Sequence, residues 1–210
     1  MEMAGLAEDT AARSVEAFLN RDAHVADQVK EGDKRIDALE VEVDERVVEL
    51  IALHQPMASD LRRIFTILKI SNHIERVGDH AHNIAKAARR LAPHRPLPEI
   101  PQLAELAVLS QRMFRDSLVA FGTRNSKLAR EVCIRDDRVD DMRRAVHEIL
   151  VGIMGKEPMR IVPALEYIRV AQQLERIGDL STNISEDVVF LVEGRTIKHH
   201  AERWGARDGG

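Results

Sequence analysis

Apolar residues recur along this chain in alternating steps of three and four, the spacing that gathers them on one face of an α-helix. One seam runs through Ile67, Ile70, Ile74, Val77, Ala81, Ile84, Ala88 and Leu91. A second keeps the same register through Tyr167, Val170, Leu174, Ile177, Ser181, Ile184, Val188 and Leu191. Two more follow Val25, Val29, Ile36, Leu39, Val43 and Leu50, and Leu128, Val132, Val139, Met142, Val146 and Ile149. Such spacing predicts long helices packed in the manner of a coiled coil. Each half of the chain reads as three of them. The first half gives helices over about Ala4 to Arg21, His24 to Leu53 and Met57 to Leu91. The second gives about Gln102 to Phe121, Ser126 to Met154 and Ile161 to Val192. Asn20 or Asp22 suits the cap of the second helix, and Pro56 marks the break before the third. Short connections make successive helices antiparallel. The expected fold is therefore all-α: two tandem antiparallel three-helix bundles, six helices in all, with the longest about 45 Å in length.

The two halves carry one plan. "SVEAFLNRD" at 14–22 returns in outline as "SLVAFGTRN" at 117–125, and "GDKRIDAL" at 32–39 as "RDDRVDDM" at 135–142, both offset by 103. "ERVGDHAHNI" at 75–84 returns as "ERIGDLSTNI" at 175–184, offset by 100. This is an internal duplication. Between the copies "APHRPLPEIP" holds four prolines in ten residues, which forbids a continuous helix and reads as a stiff linker. The expected division is a first repeat at 3–92, a linker at 93–101, a second repeat at 102–195 and a flexible tail at 196–210.

Outside the seams the regular feature is acidic. Glu75, Asp79 and Asn83 are spaced by four and stack along one helix face, as do Glu175, Asp179 and Asn183. On each preceding helix Asp33 and Asp37, and Asp136 and Asp140, have the same spacing. Like charges four apart destabilise an isolated helix by roughly 0.2–0.5 kcal/mol per pair. Carboxylates from two neighbouring helices would form an all-oxygen site suited to hard cations such as ferric iron, manganese, magnesium or calcium. A solvated face, with Arg35, Arg76, Arg138 and Arg176 as local counterions, is the other account of the same residues. Gly78 and Gly178 sit inside helices, where glycine costs about 1 kcal/mol relative to alanine, so they imply close helix packing or a constrained site. His80 and His82 flank the first acidic stripe, but Leu180 and Thr182 replace them in the second, which places the histidines outside the core ligand set.

Composition narrows the classes further. Only 3% of residues are aromatic and 31% are charged, a profile that favours helical bundles over sandwiches or barrels. A single cysteine, Cys133, excludes an internal disulfide framework, fits a reducing cytoplasm and reads as a half-buried inert thiol. No stretch approaches the roughly 18 apolar residues of a membrane span, and no secretory leader is apparent. The net charge of −4 argues against nucleic acid as a partner. His199 and His200 in the tail are a weak metal-binding pair at most.

Together the duplicated "ERVGD" and "ERIGD", the Asp-x-x-x-Asp on each preceding helix, "QPMASDLRRI" at 55–64 and "VVFLVEGR" at 188–195 resemble the PhoU family, the phosphate-specific transport system accessory proteins. The resemblance spans about 3–195. It implies two similar three-helix bundles whose carboxylate motifs hold iron, zinc, magnesium or manganese. Asp33, Asp37, Glu75 and Asp79 would form one site and Asp136, Asp140, Glu175 and Asp179 the other, with Asn83 and Asn183 as auxiliary ligands. It further implies a cytoplasmic, non-enzymatic negative regulator that connects the ATPase of a phosphate ABC transporter to a phosphate sensor histidine kinase; a homodimer stays open. Family members usually have a longer first helix, whereas this chain begins inside it, so either the start is misassigned or truncated or the first bundle has a frayed end. A carboxylate metal-dependent hydrolase or oxygen-chemistry enzyme competes as a reading from another class, without a nucleophile or a general base set apart from the ligands to support it.

Overall fold

A computed structural model describes residues 1–197, so His199, His200 and most of the expected tail lie outside the described residues. Seven α-helices run in order: α1 (Glu2–Asn20), α2 (Ala23–His54), α3 (Ser59–Leu91), α4 (Pro101–Thr123), α5 (Ser126–Ile134), α6 (Asp136–Lys156) and α7 (Ile161–Glu193). A 3-10 turn, Pro158–Arg160, leads into α7. Helices α1–α3 form one antiparallel bundle, and α4, the α5–α6 pair and α7 form the other. None of these helices is long and apolar enough to cross a membrane.

Capping repeats with the sequence. Arg21 turns into the left-handed region after α1 (φ 53), and Asp22 then caps α2 by accepting from the backbone N–H groups of His24 and Val25. In the second repeat Arg124 (φ 52) and Asn125 do the same, Asn125 accepting from the Leu128 N–H. The expected α3 and α7 seams are the core: Ile70, Ile74, Val77, Ala81, Ile84, Ala88 and Leu91 are buried, and so are Val170, Leu174, Ile177, Ser181, Ile184 and Val188. Near the end of α2 the seam slips, because Val47 is buried at 6% exposure while Leu50 stands out at 43%. At this tip α2 projects beyond the core, and the heptad has nothing left to bury against.

The helix expected over 126–154 is interrupted at Arg135, giving α5 and α6. The repeats show why. In the first, the matching position is Gly32, and a Cβ there would lie 2.7 Å from Thr10 Oγ1 of α1. Glycine therefore lets α1 and α2 close on each other with α2 continuous. In the second repeat Arg135 cannot occupy that space. The backbone tightens there, with the Arg135 N–H bonding to the Val132 carbonyl at 3.0 Å, and the side chain turns to pair with Asp116. Asp136 and Asp137 consequently occupy the first turn of α6, where negative charge complements the helix dipole.

The bundles are not separate bodies. One apolar core runs from Ala7 and Ile36 through α3 and α7 to Phe114, Val139 and Leu150, and it takes in Leu97 and Ile100 of the proline-rich segment. Ile197, at the start of the expected tail, packs against the same core. Helices α3 and α7 cross antiparallel at the centre: Lys69 meets Asp187, His80 meets Gln173 and Arg90 meets Glu166. Phe18 reaches over to Tyr167 in an edge-to-face contact with centroids 4.9 Å apart. Asp187 and Glu166 are buried acids of α7 held by basic groups: Lys69 at 3.3 Å and His73 at 3.4 Å for the first, Arg90 at 3.2 Å and Arg169 at 2.7 Å for the second. The matching residues of α3 are Ala87 and Thr66, so the seam between the repeats has a polarity that the duplication alone does not have.

Candidate metal centre

Each acidic motif sits where two helices of one repeat come close. Gly78 and Gly178 make that approach possible. A Cβ on Gly78 would lie 3.0 Å from Ile36 Cδ1 and 3.1 Å from Asp33 Oδ1, and one on Gly178 would lie 3.2 Å from Val139 Cγ1. Ile36 and Val139 occupy matching positions on α2 and α6, so both glycines serve the same close contact, in keeping with what their placement inside a helix implies.

In the first repeat Asp33 is the inner member, only 7% exposed. Its Oδ2 accepts from His82 Nδ1 at 2.7 Å. Its Oδ1 is buried with no hydrogen-bond partner and faces the α3 backbone at Gly78, one turn from Glu75 and Asp79. Asp37, Asp79 and Asn83 are exposed around it, and Glu75 is half-buried. The carboxylates feel one another. Burial, and then the negative charges of Asp79, Glu40, Asp37 and Asp33, push the Glu75 carboxyl up to about 7. Burial also raises Asp33, against the lowering pull of His82. The α2 and α3 motifs are thus brought together, as their spacing predicts, and Glu40 joins them from one turn further along α2.

The second repeat builds the same arrangement with different neighbours. Thr182, at the position of His82, donates to Asp136 Oδ1 at 3.2 Å. Burial pushes Asp179 up to about 6, helped by the charges of Asp136, Glu175 and Asp140, and it raises Asp136 as well. Asn183 is half-buried beside them. Here an ion pair is also present, Arg143 Nε to Glu175 Oε1 at 3.2 Å.

His82 therefore belongs to the first cluster, although its replacement by Thr182 points away from it. The repeated signal is positional: residues 82 and 182 both bond the inner aspartate, one through an imidazole and one through a hydroxyl. His80 faces α7 instead, its Nδ1 donating to Gln173 Oε1 at 2.8 Å, and burial lowers its pKa. Cys133 is half-buried, and burial pushes its thiol up to about 12, which fits an inert side chain.

A hard cation fits the donor chemistry. The groups are oxygen-rich, one buried carboxylate oxygen lacks a partner, and mutual repulsion is the cost a cation would remove. Among the described residues, however, no group of three His, Cys, Asp or Glu side chains is already gathered as a finished cage. Ligation by Asp33, Asp37, Glu75 and Asp79, or by Asp136, Asp140, Glu175 and Asp179, would require side chains to swing inward.

Comparison with known proteins adds four findings. A family model described as the PhoU domain matches residues 1–88 and again 103–188, one match on each side of the proline-rich segment. A Clostridium acetobutylicum protein named phosphate-specific transport system accessory protein PhoU homolog is 35% identical over 198 residues, covering 94% of this chain and 90% of that one. The crystal structure of PhoU from Pseudomonas aeruginosa superposes with a TM-score of 0.90 at 35% identity, over 92% of this chain and 93% of its own. That of the phosphate transport system regulatory protein PhoU from Streptococcus pneumoniae gives 0.87 at 28% identity, over 94% and 93%.

Proposed function

The chain belongs to the PhoU family, and on that premise we propose that it is a metal-binding accessory regulator of phosphate uptake. In this reading it acts in the cytoplasm as a non-catalytic adaptor between the ATPase of a phosphate ABC transporter and a phosphate-sensing histidine kinase. It restrains uptake and the phosphate-starvation response when phosphate is plentiful. Support for the phosphate role comes from the names its relatives carry, an accessory protein in one case and a transport-system regulator in another. Support for the metal role rests on one observation above the rest: the buried, unpartnered Asp33 Oδ1 beside Glu75, whose carboxyl is pushed up by burial and by the charges of its acidic neighbours. Asp33, Asp37, Glu75 and Asp79, with Asn83, are the proposed ligands in repeat 1. Asp136, Asp140, Glu175 and Asp179, with Asn183, are those in repeat 2. Iron, manganese, magnesium or zinc bound there would supply positive charge that ties α2 to α3 and α6 to α7.

The regulatory half is tested in a bacterial host deleted for its own protein of this family and carrying a phosphate-starvation reporter. Expression of the wild type is expected to silence the reporter in high phosphate, and the chain is expected to co-purify with the transporter ATPase and the kinase. A reporter that stays fully on, together with no capture of either partner at high or low phosphate, would sink the adaptor role.

A further inference from the structure

The offset of 103 that aligns Asp33 with Asp136 and Asp37 with Asp140 also aligns Glu40 with Arg143. The two residues stand one turn beyond the aspartate pair, on the side of their helix that faces the glutamate of the neighbouring one. Their charges are opposite. Glu40 adds a negative charge to the cluster around Glu75, and its own contact, from Asn72 Nδ2 at 3.1 Å, leaves that charge uncancelled. Arg143 does the reverse, placing its guanidinium 3.2 Å from Glu175 with both side chains only about a quarter exposed (29% and 23%).

We propose that Arg143 is a built-in counterion that makes the two clusters unequal: a divalent cation fills the repeat-1 cluster at lower concentration, and Arg143 must leave Glu175 before the repeat-2 cluster fills. The proposal rests on the reading of these carboxylates as cation ligands. A guanidinium stays charged throughout the range in which the protein is folded, so a cation at Glu175 always competes with an ion pair already made. At partly shielded distances near 4 Å a unit charge matters enough to shift an affinity by tenfold or more. Among the other basic residues of the motifs, Lys34 pairs with Glu31, Arg35 with Glu2 and Arg144 with Asp141, and Arg176, whose charge reaches Asp179, has its counterpart in Arg76 of repeat 1. Asp137, at the position of Lys34, gives the second cluster one further negative charge. It is exposed on the first turn of α6 and leaves the Arg143 pair in place. Each inner aspartate has one oxygen bonded, by His82 or by Thr182, and the second oxygen of Asp33 is buried without a partner.

The test is calorimetric titration of the whole chain with Mn2+, with far-ultraviolet circular dichroism to verify that each variant is folded. The wild type is expected to show two classes of site differing by about tenfold or more. Asp33→Asn should remove the tighter class and Asp136→Asn the weaker. Arg143→Gln should tighten the weaker class by about tenfold, whereas Arg143→Lys should leave it as it is. Glu40→Arg, which copies the counterion into repeat 1, should weaken the tighter class by a similar factor. Equal affinity at both clusters, or a weaker class indifferent to Arg143→Gln, overturns the inequality while leaving metal binding intact. Absence of Mn2+ binding in the wild type and in Arg143→Gln removes the metal reading and the inequality with it.

Discussion

With Glu75→Gln and Asp179→Asn combined, the metal-free protein at pH 8 is expected to melt higher than the wild type, and its gain from manganese is expected to collapse. The first effect follows from the direction of two pKa shifts. The folded-state carboxyl of Glu75 titrates near 7 rather than 4.5, and that of Asp179 near 6 rather than 3.8. Between each pair of values the native state holds a proton that the unfolded chain has released. Stability therefore falls as pH rises through about 4 to 7, and by pH 8 the full cost of burying these charges, and of their repulsion, is present. His80 has the opposite sign, because its folded pKa is lowered and it favours the native state as pH rises towards 6.5. The two raised inner aspartates, Asp33 and Asp136, add to the acid side. Relief of both charges is worth about 1 kcal/mol after solvent screening, or about 2–4 °C for a chain of this size. The second effect is larger. Cation at 100 times its dissociation constant stabilises a single site by about 2.7 kcal/mol, which corresponds to roughly 5–11 °C, and the double variant should lose most of it. Thermal melts at pH 5 and pH 8, with and without manganese, read both effects. A variant that melts lower than wild type at pH 8 without metal would show that the carboxylates do not repel.

Gly78→Val is expected to destabilise the fold by about 2–3 kcal/mol, measured by urea unfolding, and to take repeat-1 cation binding with it. The Cβ alone would stand 3.0 Å from Ile36 and 3.1 Å from Asp33, and the two valine methyls have nowhere to go unless α2 moves off α3. Gly78→Ala should be much milder, since a gain of about 1 kcal/mol in helix propensity offsets part of the crowding. Gly5→Val is the control, because nothing lies within 4 Å of a Cβ there. If Gly78→Val unfolded at the wild-type urea concentration, the close approach of α2 and α3 would not be a constraint on the fold.

The helical seams were legible because a heptad burying one face leaves its period in the residues, and α3 and α7 follow it almost without exception. The break at Arg135 was harder to see. It depends on what faces the position across the bundle, and the clue is only that Gly32 of one repeat becomes Arg135 in the other. The joint core was hidden for a related reason: reading two copies of one bundle directs attention to what they share, whereas α3 and α7 are joined by acids, Glu166 and Asp187, that occur in one copy alone. The candidate site was legible in its carboxylates, whose spacing of four projects them along one face. Its neighbours His82, Thr182, Glu40 and Arg143 differ in type between the repeats, so identity at matching positions could not mark them. Contact could: positions 82 and 182 bond the inner aspartate in both copies, and positions 40 and 143 meet the glutamate cluster with opposite charge.

Paired carboxylates on adjacent helices are proposed to hold a hard cation. The direct measurement is anomalous diffraction from crystals of untagged protein grown with manganese. An anomalous peak is expected between Asp33 and Asp37 of α2 and Glu75 and Asp79 of α3, lost in Asp33→Asn. A map with no peak at either cluster, or a peak elsewhere that survives that substitution, would contradict it.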